Sequence, residues 1–174
     1  MLYAMIAVAV FFWAIVVWLV KRKPRPPLSY VFIDGSNVMY WDGQPPKIET
    51  VQDAVRLLVE KGYTPGVMFD ANAGYQVSDG YKHDHEFAQM LGLPEDQVIV
   101  VGKGVQADPH LLQAARELKA RIVTNDRFRD WAKDFPEVRT RGHLIHGGYH
   151  NGKLWLDFDG SRPRAQKQRR RNRR

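Results

Sequence analysis

Short apolar runs alternate with amphipathic segments between residues 29 and 160, and this alternation constrains the fold more than any other feature. A short apolar run predicts a buried strand, and apolar residues that recur every three or four positions predict a helix. Strands that alternate with helices favour a mostly parallel sheet with helices on both faces. The sequence therefore predicts an α/β fold with three layers. The predicted strands are 29–33, 65–69, 97–101 and 121–124, the predicted helices are 48–61, 79–91, 108–119 and 127–133, and a hairpin is predicted over 142–158 with its turn at Asn151-Gly152.

Acidic and amide side chains stand where these apolar runs end. Two of the runs stop on or just before an acid, and a third is followed by a glycine turn that leads to one. Ligands of open α/β sheets bind beyond the carboxyl ends of the strands, so we expect these side chains to share one cleft. The five candidate site residues are Asp34, Asn37, Asp108, Asp126 and Asp130.

A cluster of carboxylates is costly unless a cation neutralises it. Oxygen ligands favour Mg²⁺ or Mn²⁺, and these cations suit the hydrolysis of phosphodiester bonds. Each acid also has a simpler explanation. Asp34 can close a turn, and Asp108 can cap a helix. Asp126 and Asp130 lie four residues apart on one predicted helix, where the helix dipole can stabilise both. The residues alone leave both explanations open.

The first 20 residues predict a transmembrane helix. Residues 2–20 are apolar and carry no charge. As a helix they span about 28 Å, which is close to the hydrocarbon thickness of a bilayer. A basic, proline-rich linker follows at 21–27, and basic flanks stay on the cytoplasmic side, so we expect the N-terminus outside and the rest of the chain in the cytoplasm. The alternative interpretation is a cleaved signal peptide. However, no basic residue precedes the apolar run, and a basic segment stands where a small-residue cleavage site would be expected.

Charge is distributed unevenly along the chain. The net charge is +7, but the linker and the tail at 161–174 together hold twelve of the 26 bases and no acid. Residues 26–160 therefore carry 14 bases against all 19 acids, a net charge of −5. The tail is predicted to be a disordered basic segment that either contacts anionic lipid or RNA or is simply solvated. The chain has no cysteine, which excludes disulfides, thiolate zinc sites and cysteine nucleophiles.

Two further patterns have competing explanations. The segment 102–107 matches the G-x-G-x-x-A pattern of dinucleotide-binding loops. An acid at position 108 would repel a pyrophosphate there, so a plain glycine turn is favoured. Tyr40 and Trp41 either stack on unpaired bases or belong to the core. A basic stretch from Arg116 to Arg141 either contacts phosphates or is ordinary surface charge.

Three segments together resemble the NYN-type, PIN-like ribonucleases, close to the Regnase branch of metal-dependent endoribonucleases. They are Val31-Phe-Ile-Asp-Gly-Ser-Asn-Val38, the predicted helix that begins at Asp108, and Val123-Thr-Asn-Asp-Arg-Phe-Arg-Asp130. The resemblance covers residues 30–155. It implies a PIN-like sheet, an acidic Mg²⁺ or Mn²⁺ site, and cleavage of single-stranded or loop RNA.

The resemblance also implies roles for single residues. All five candidates match metal-site positions of the family, with Asp34, Asp108, Asp126 and Asp130 as the metal ligands. The chain departs from the family pattern at Ala107, where relatives often carry a second acid. It also lacks the Cys/His zinc finger with which animal relatives bind RNA.

The sequence therefore predicts a PIN-like nuclease domain at 28–160 tethered to a membrane. Its expected activity is metal-dependent endoribonucleolytic hydrolysis, with RNA as the partner and a second copy of the chain as a further candidate partner. A catalytically silent RNA-binding or membrane-tethering module is the alternative. A nucleotide-binding enzyme that uses residues 102–107 is a third hypothesis.

Overall fold

The computed structural model describes residues 29–160. The predicted transmembrane helix at 1–20, the linker at 21–27 and the basic tail at 161–174 lie outside these residues. Among the described residues, no helix is long and apolar enough to cross a bilayer.

Six strands form one sheet. They are β1 (Tyr30–Asp34), β2 (Thr64–Phe69), β3 (Val98–Val100), β4 (Arg121–Val123), β5 (Leu144–His150) and β6 (Lys153–Asp157). Their order is β3-β2-β1-β4-β5-β6, and neighbours run parallel except for β5 and β6. These two form the predicted hairpin, with positive φ at Asn151 and Gly152 as a type I′ turn requires. The predicted α/β class with a mostly parallel sheet is confirmed.

Helices cover both faces of the sheet. Within the described residues they are α1 (Gly35–Val38), α2 (Ile48–Glu60), α3 (Ala73–Val77), α4 (Asp84–Leu91) and α5 (Ala107–Glu117), with 3₁₀ turns at Glu95–Gln97 and Pro136–Arg139. Val31 and Ile33 of β1 point into the core beneath α2 and α4. Phe32, between them, points to the opposite core beneath α5. This alternation is the one expected of a strand buried on both faces.

The strand order places a crevice between β1 and β4. From β1 the chain adds β2 and then β3 on one side, and afterwards crosses to the other side to add β4. The connections that follow β1 and β4 therefore lead to opposite sides, and a cleft opens beyond their carboxyl ends. Asp34 ends β1, and residues 124–126 follow β4, so two of the predicted site segments meet there.

Two predicted helices differ from the structure. The helix expected over 79–91 begins only at Asp84, because Glu86 accepts a hydrogen bond from the backbone nitrogen of His83 in a capping box. The prediction of a helix over 127–133 is wrong, since residues 127 and 128 are irregular and residues 129–134 form turns. The Asp126 carboxylate accepts from the nitrogen of Phe128 at 2.7 Å, and Phe128 adopts a left-handed φ of 45° that a right-handed helix cannot continue.

Gly35 allows Asp34 to sit at the start of α1. A Cβ atom at position 35 would lie 2.4 Å from a ring carbon of Phe69, which is fully buried and cannot move aside cheaply. We expect Gly35→Ala to lower the free energy of unfolding by about 1–3 kcal/mol, measured by urea denaturation. Gly80→Ala is the matched control, because a Cβ there meets no atom within 4 Å. Equal losses in the two variants would contradict the close packing.

Candidate active site at the carboxyl ends of the parallel strands

Asp34 lies at the centre of the cleft. One carboxylate oxygen accepts from the backbone nitrogen of Asn37 at 3.1 Å, and the other accepts from the Thr124 hydroxyl at 2.9 Å. Burial raises the pKa of Asp34 to about 7, these hydrogen bonds lower it in part, and the charges of Asp108 and Asp70 raise it further. The carboxylate is therefore oriented but poorly neutralised, which is the state that a bound cation relieves.

Asp108 belongs to the same acidic cluster. The structure starts α5 at Ala107 with Gln106 as the N-cap, so Asp108 lies inside the first turn and is not the N-cap. Burial raises its pKa, as do the charges of Asp126 and Asp70, while a hydrogen bond with Trp131 lowers it. Capping of α5 therefore does not explain the presence of Asp108.

Asp126 follows β4, and its side chain is exposed at the edge of the cleft. One of its oxygens is engaged by Phe128, as described above, and its own backbone nitrogen donates to the Thr124 hydroxyl at 3.0 Å. The same hydroxyl donates to Asp34. Thr124 is fully buried and thus fixes the loops that carry Asp34 and Asp126 relative to each other.

Asp70 is a member of the cluster that the sequence interpretation missed. It directly follows β2, and its backbone nitrogen donates to the Ser36 hydroxyl at 2.8 Å. Its charge raises the pKa of both Asp34 and Asp108. The available signal was the one that identified Asp34, namely an acid directly after an apolar strand.

The amide oxygen of Asn37 holds the cleft in place through two hydrogen bonds. This oxygen accepts from the indole nitrogen of Trp41 at 2.9 Å and from the backbone nitrogen of Asn125 at 3.0 Å. The amide nitrogen donates to no side chain or backbone atom of residues 29–160 and is available to a ligand. The oxygen of Asn37, a candidate site residue, joins the loop after β1 to the loop after β4.

Tyr40 and Trp41 are packed rather than free to stack on bases. The Tyr40 hydroxyl donates to Gln76 at 2.8 Å, and Trp41 donates to Asn37. The Trp41 ring lies against Gly147, where a Cβ would come within 2.3 Å of it. The structure therefore favours the interpretation that both aromatic residues belong to the packed interior rather than stack on bases.

Within residues 29–160, no hydrogen bond joins Asp130 to the cluster. Its side chain is exposed and makes no hydrogen bond or ion pair with any residue in the range 29–160. Because 127–133 is not a helix, Asp130 does not share a helix face with Asp126, and this part of the prediction is wrong. The structure thus joins Asp34, Asp108 and Asp126 with Asp70, and leaves Asp130 at the surface.

The glycine loop at 102–106 is not a phosphate cradle. It is exposed, and it leads directly into the turn of α5 that carries Asp108. The acids nearby raise the pKa of Asp108, which marks a negative environment at this helix start. A pyrophosphate would be repelled there, which favours the plain glycine turn over a nucleotide-binding loop.

A divalent cation fits the chemistry of the donors. Within residues 29–160 no three Asp, Glu, His or Cys side chains stand close enough to form a ready-made ligand set. Mg²⁺ keeps several of its waters and commonly uses only one or two carboxylates, so a complete protein cage is not required. Burial raises the pKa of Asp34 and of Asp108, and neighbouring acids raise it further, so a positive counter-charge would stabilise the ionised form of both. Mg²⁺ or Mn²⁺ would supply it.

The fold is shared with solved structures. Two structures of the protein-only RNase P 2 from Arabidopsis thaliana, a nuclear enzyme, are similar to this chain, each at 18% identity. The first has a TM-score of 0.60 and aligns over 85% of this chain and 32% of its own, and the second has a TM-score of 0.59 over 90% and 35%. This chain thus spans about a third of those proteins, and the likeness shows the fold alone.

Sequence comparison identifies the family. No curated protein sequence matches the chain. Residues 27–169 match the family model described as the Zc3h12a-like Ribonuclease NYN domain. This match covers most of the chain and includes every acid of the cluster, which confirms the resemblance found in the sequence. The chain belongs to the Zc3h12a-like ribonuclease NYN domain family.

Proposed function

We propose that this chain is a metal-dependent endoribonuclease that hydrolyses phosphodiester bonds of single-stranded or loop RNA with Mg²⁺ or Mn²⁺. The observation that carries the proposal is the acidic cluster at the ends of β1, β2 and β4 and the start of α5, in which burial raises the pKa of Asp34 and of Asp108 and repulsion from neighbouring acids raises it further. A cation bound between them relieves this repulsion. Membership of a ribonuclease domain family supports RNA as the substrate class.

Each residue has a role that follows from its position. The residues proposed to hold the cation, directly or through water, are Asp34, Asp108 and Asp126, with Asp70 adding negative potential. Asn37 is proposed to orient the attacking water or the substrate, and its free amide nitrogen suits a phosphate oxygen. The same role is proposed for Asp130 from the family resemblance alone, because its side chain lies at the surface. When bound, the cation lowers the pKa of a water molecule and stabilises negative charge on the phosphate.

The protein's own hydrogen bonds hold this arrangement in place. Thr124 and the nitrogen of Asn37 fix both oxygens of Asp34, so the carboxylate keeps one orientation. Proton and cation compete for Asp34, because the pKa of this carboxyl is about 7. Activity is therefore expected to rise with pH through neutrality, as Asp34 becomes ionised.

Cleavage of a circular single-stranded RNA by the full chain tests the proposal, because a circle offers no ends and only an endonuclease opens it. We expect linear products with Mn²⁺ or Mg²⁺ and an intact circle with EDTA, resolved on a denaturing gel. Asp108→Asn should slow the reaction by at least about 100-fold, since it removes one proposed ligand of the cation. Asp96→Asn is the matched control, because Asp96 is exposed in the 3₁₀ turn at Glu95–Gln97. Opening of the circle at full rate in EDTA would contradict the metal requirement.

A catalytically silent RNA-binding module is the second candidate. Ala107 favours it, because relatives often carry an acid at this position, next to Asp108. In that case the full chain would retain RNA in a salt-sensitive complex without opening the circle under any metal condition. The carboxylate variants would then bind RNA as well as the original chain does.

Membrane anchoring is a separate proposal and rests on sequence. Residues 2–20 are proposed to form a single transmembrane helix, with the N-terminus outside and the nuclease domain in the cytoplasm. The basic tail is proposed to contact anionic lipid or RNA near the membrane. Flotation of the full chain with vesicles after an alkaline wash tests the anchor, and recovery in the soluble fraction would contradict it.

A further inference from the structure

A pocket of about 410 Å³ lies beside the acidic cluster. Its rim carries the side chains of Arg127, Arg129, Arg139 and Arg141, and we call it the arginine pocket. Val138 and Leu144 are among the apolar residues of its wall, and both are buried. Ligand pockets of proteins range from about 300 to 1,000 Å³, so this one suits a group the size of a nucleotide.

Three of the four rim arginines lack partners among the described residues. The side chains of Arg127, Arg129 and Arg139 make no hydrogen bond or ion pair with any residue in the range 29–160. Arg141 donates through Nε to the backbone oxygen of Asp159 at 3.2 Å, which leaves its terminal nitrogens available. Among the described residues that line the pocket, only Asp157 is acidic. Four guanidinium groups against one carboxylate favour an anionic ligand.

The pocket is adjacent to the proposed cleavage site. Arg127 directly follows Asp126 in the chain. On the other wall, the ring nitrogen Nδ1 of His146 lies 2.9 Å from the backbone oxygen of Thr124, whose hydroxyl contacts Asp34. The residues that follow β4 thus contact both Asp34 of the acidic cluster and His146 of the pocket lining. A strand that places one phosphate at the acids can place the next nucleotide in the pocket.

We propose that the arginine pocket binds the RNA nucleotide next to the cleaved bond, and this rests on the proposed ribonuclease function. The guanidinium groups pair with phosphate oxygens, and their flat faces also stack on bases. The apolar wall at Val138 and Leu144 contacts the base or the ribose. The acids alone would repel an RNA strand, and the arginines offset that repulsion one nucleotide away from the site of chemistry.

RNA binding in the absence of cleavage tests the pocket. The full chain with Asp34→Asn is titrated in EDTA against a fluorescent oligouridylate of about ten nucleotides, and anisotropy is followed at several salt concentrations. Arg139→Ala with Arg141→Ala should weaken binding by roughly tenfold. It should also reduce the slope of log K against log salt by about 1.4, since each phosphate contact with a single strand contributes about 0.7.

Arg56→Ala with Lys61→Ala is the matched control. It removes the same formal charge from two exposed residues that do not line the pocket, one in the C-terminal half of α2 and the other at its C-cap. Every variant keeps the basic tail, so the contribution of the tail to binding cancels in the comparison. Arg139→Glu is a second pocket variant at an exposed side chain, in case the double variant does not fold. The affinity of Arg139→Glu for the oligouridylate should fall further than that of Arg139→Ala.

The outcomes distinguish a failure of the pocket proposal from a failure of the proposed nuclease activity. Unchanged affinity and salt slope in the pocket variants, or equal losses in the control, would overturn the pocket even if the original chain cleaves RNA. Weaker binding in the pocket variants alone would support the pocket even if the original chain proved unable to cleave. Selective loss of binding to phosphatidylserine vesicles, with RNA binding intact, would assign the pocket to lipid and overturn the proposal.

Discussion

RNA cleavage is expected to fall by at least about 100-fold when Asp34 is replaced by asparagine, while the folded state becomes more stable at pH 8. Asparagine keeps the shape of the side chain and can still accept from the nitrogen of Asn37. It removes the charge that burial and the neighbouring acids make costly. After allowance for the solvent around this half-buried group, the gain in unfolding free energy is about 1–3 kcal/mol. Function and stability would thus change in opposite directions at one residue.

The gain in stability should depend on pH with a defined sign. The pKa of the Asp34 carboxyl rises from an ordinary value of 3.8 to about 7 in the folded state. The folded state therefore holds this proton more tightly than the unfolded state does. That contribution is fully present below about pH 4 and is lost as pH rises towards 7. The difference between the original chain and Asp34→Asn should be small at pH 4 and complete at pH 8.

Urea denaturation of the two chains in EDTA at both pH values measures this difference, and the circular RNA measures activity. Asp96→Asn is again the control, and it should change neither quantity. Cleavage by Asp34→Asn at the original rate would remove Asp34 from the site. Lower stability of this variant at pH 8 would show that the hydrogen bond from Thr124 matters more than the buried charge.

Mn²⁺ or Mg²⁺ is expected to raise the melting temperature of the original chain at pH 8. A cation at about 100 times its dissociation constant adds roughly 2.7 kcal/mol of stability, which corresponds to several degrees for a domain of this size. The cation should stabilise the folded state because it offsets the repulsion between the clustered acids. It binds these acids in the folded state and not in the unfolded chain. At pH 5 the shift should shrink, because the proton on Asp34 competes with the cation.

Thermal unfolding followed by circular dichroism, with and without the cation, measures the shift. Asp34→Asn and Asp108→Asn should each lose most of it, whereas Asp96→Asn should keep it. An equal shift in all four chains would place the cation somewhere other than the acidic cluster. This measurement needs no RNA, so it tests the cation site independently of catalysis.

Much of the fold follows from local patterns in the sequence. The apolar runs that became β1, β2 and β4 stand out because strands buried on both faces leave no polar positions. The hairpin turn at Asn151-Gly152 was predictable because few residue pairs adopt positive φ so readily. Asp34 was predictable for a related reason, since a charge directly after such a strand must lie at the edge of the sheet.

The parts that were missed depend on contacts between distant segments. The left-handed φ of Phe128 is set by a hydrogen bond to Asp126 and by burial of its ring, so helical spacing over 127–133 was misleading. Asn37 bonds to Asn125, which is 88 residues away, and no local pattern shows this. Asp70 had the right local pattern, but only the sheet order shows that β2 lies next to β1.

The hydrogen bond from Thr124 to Asp34 joins residues 90 positions apart. Contacts between segments so distant form late, because a long loop must close before they can stabilise anything. A nascent chain that has emerged only as far as β3 carries Asp34 and Asp70 but neither Asp108 nor Asp126. The acidic cluster is thus incomplete until the residues after β4 have emerged, so the proposed active site can form only late in synthesis.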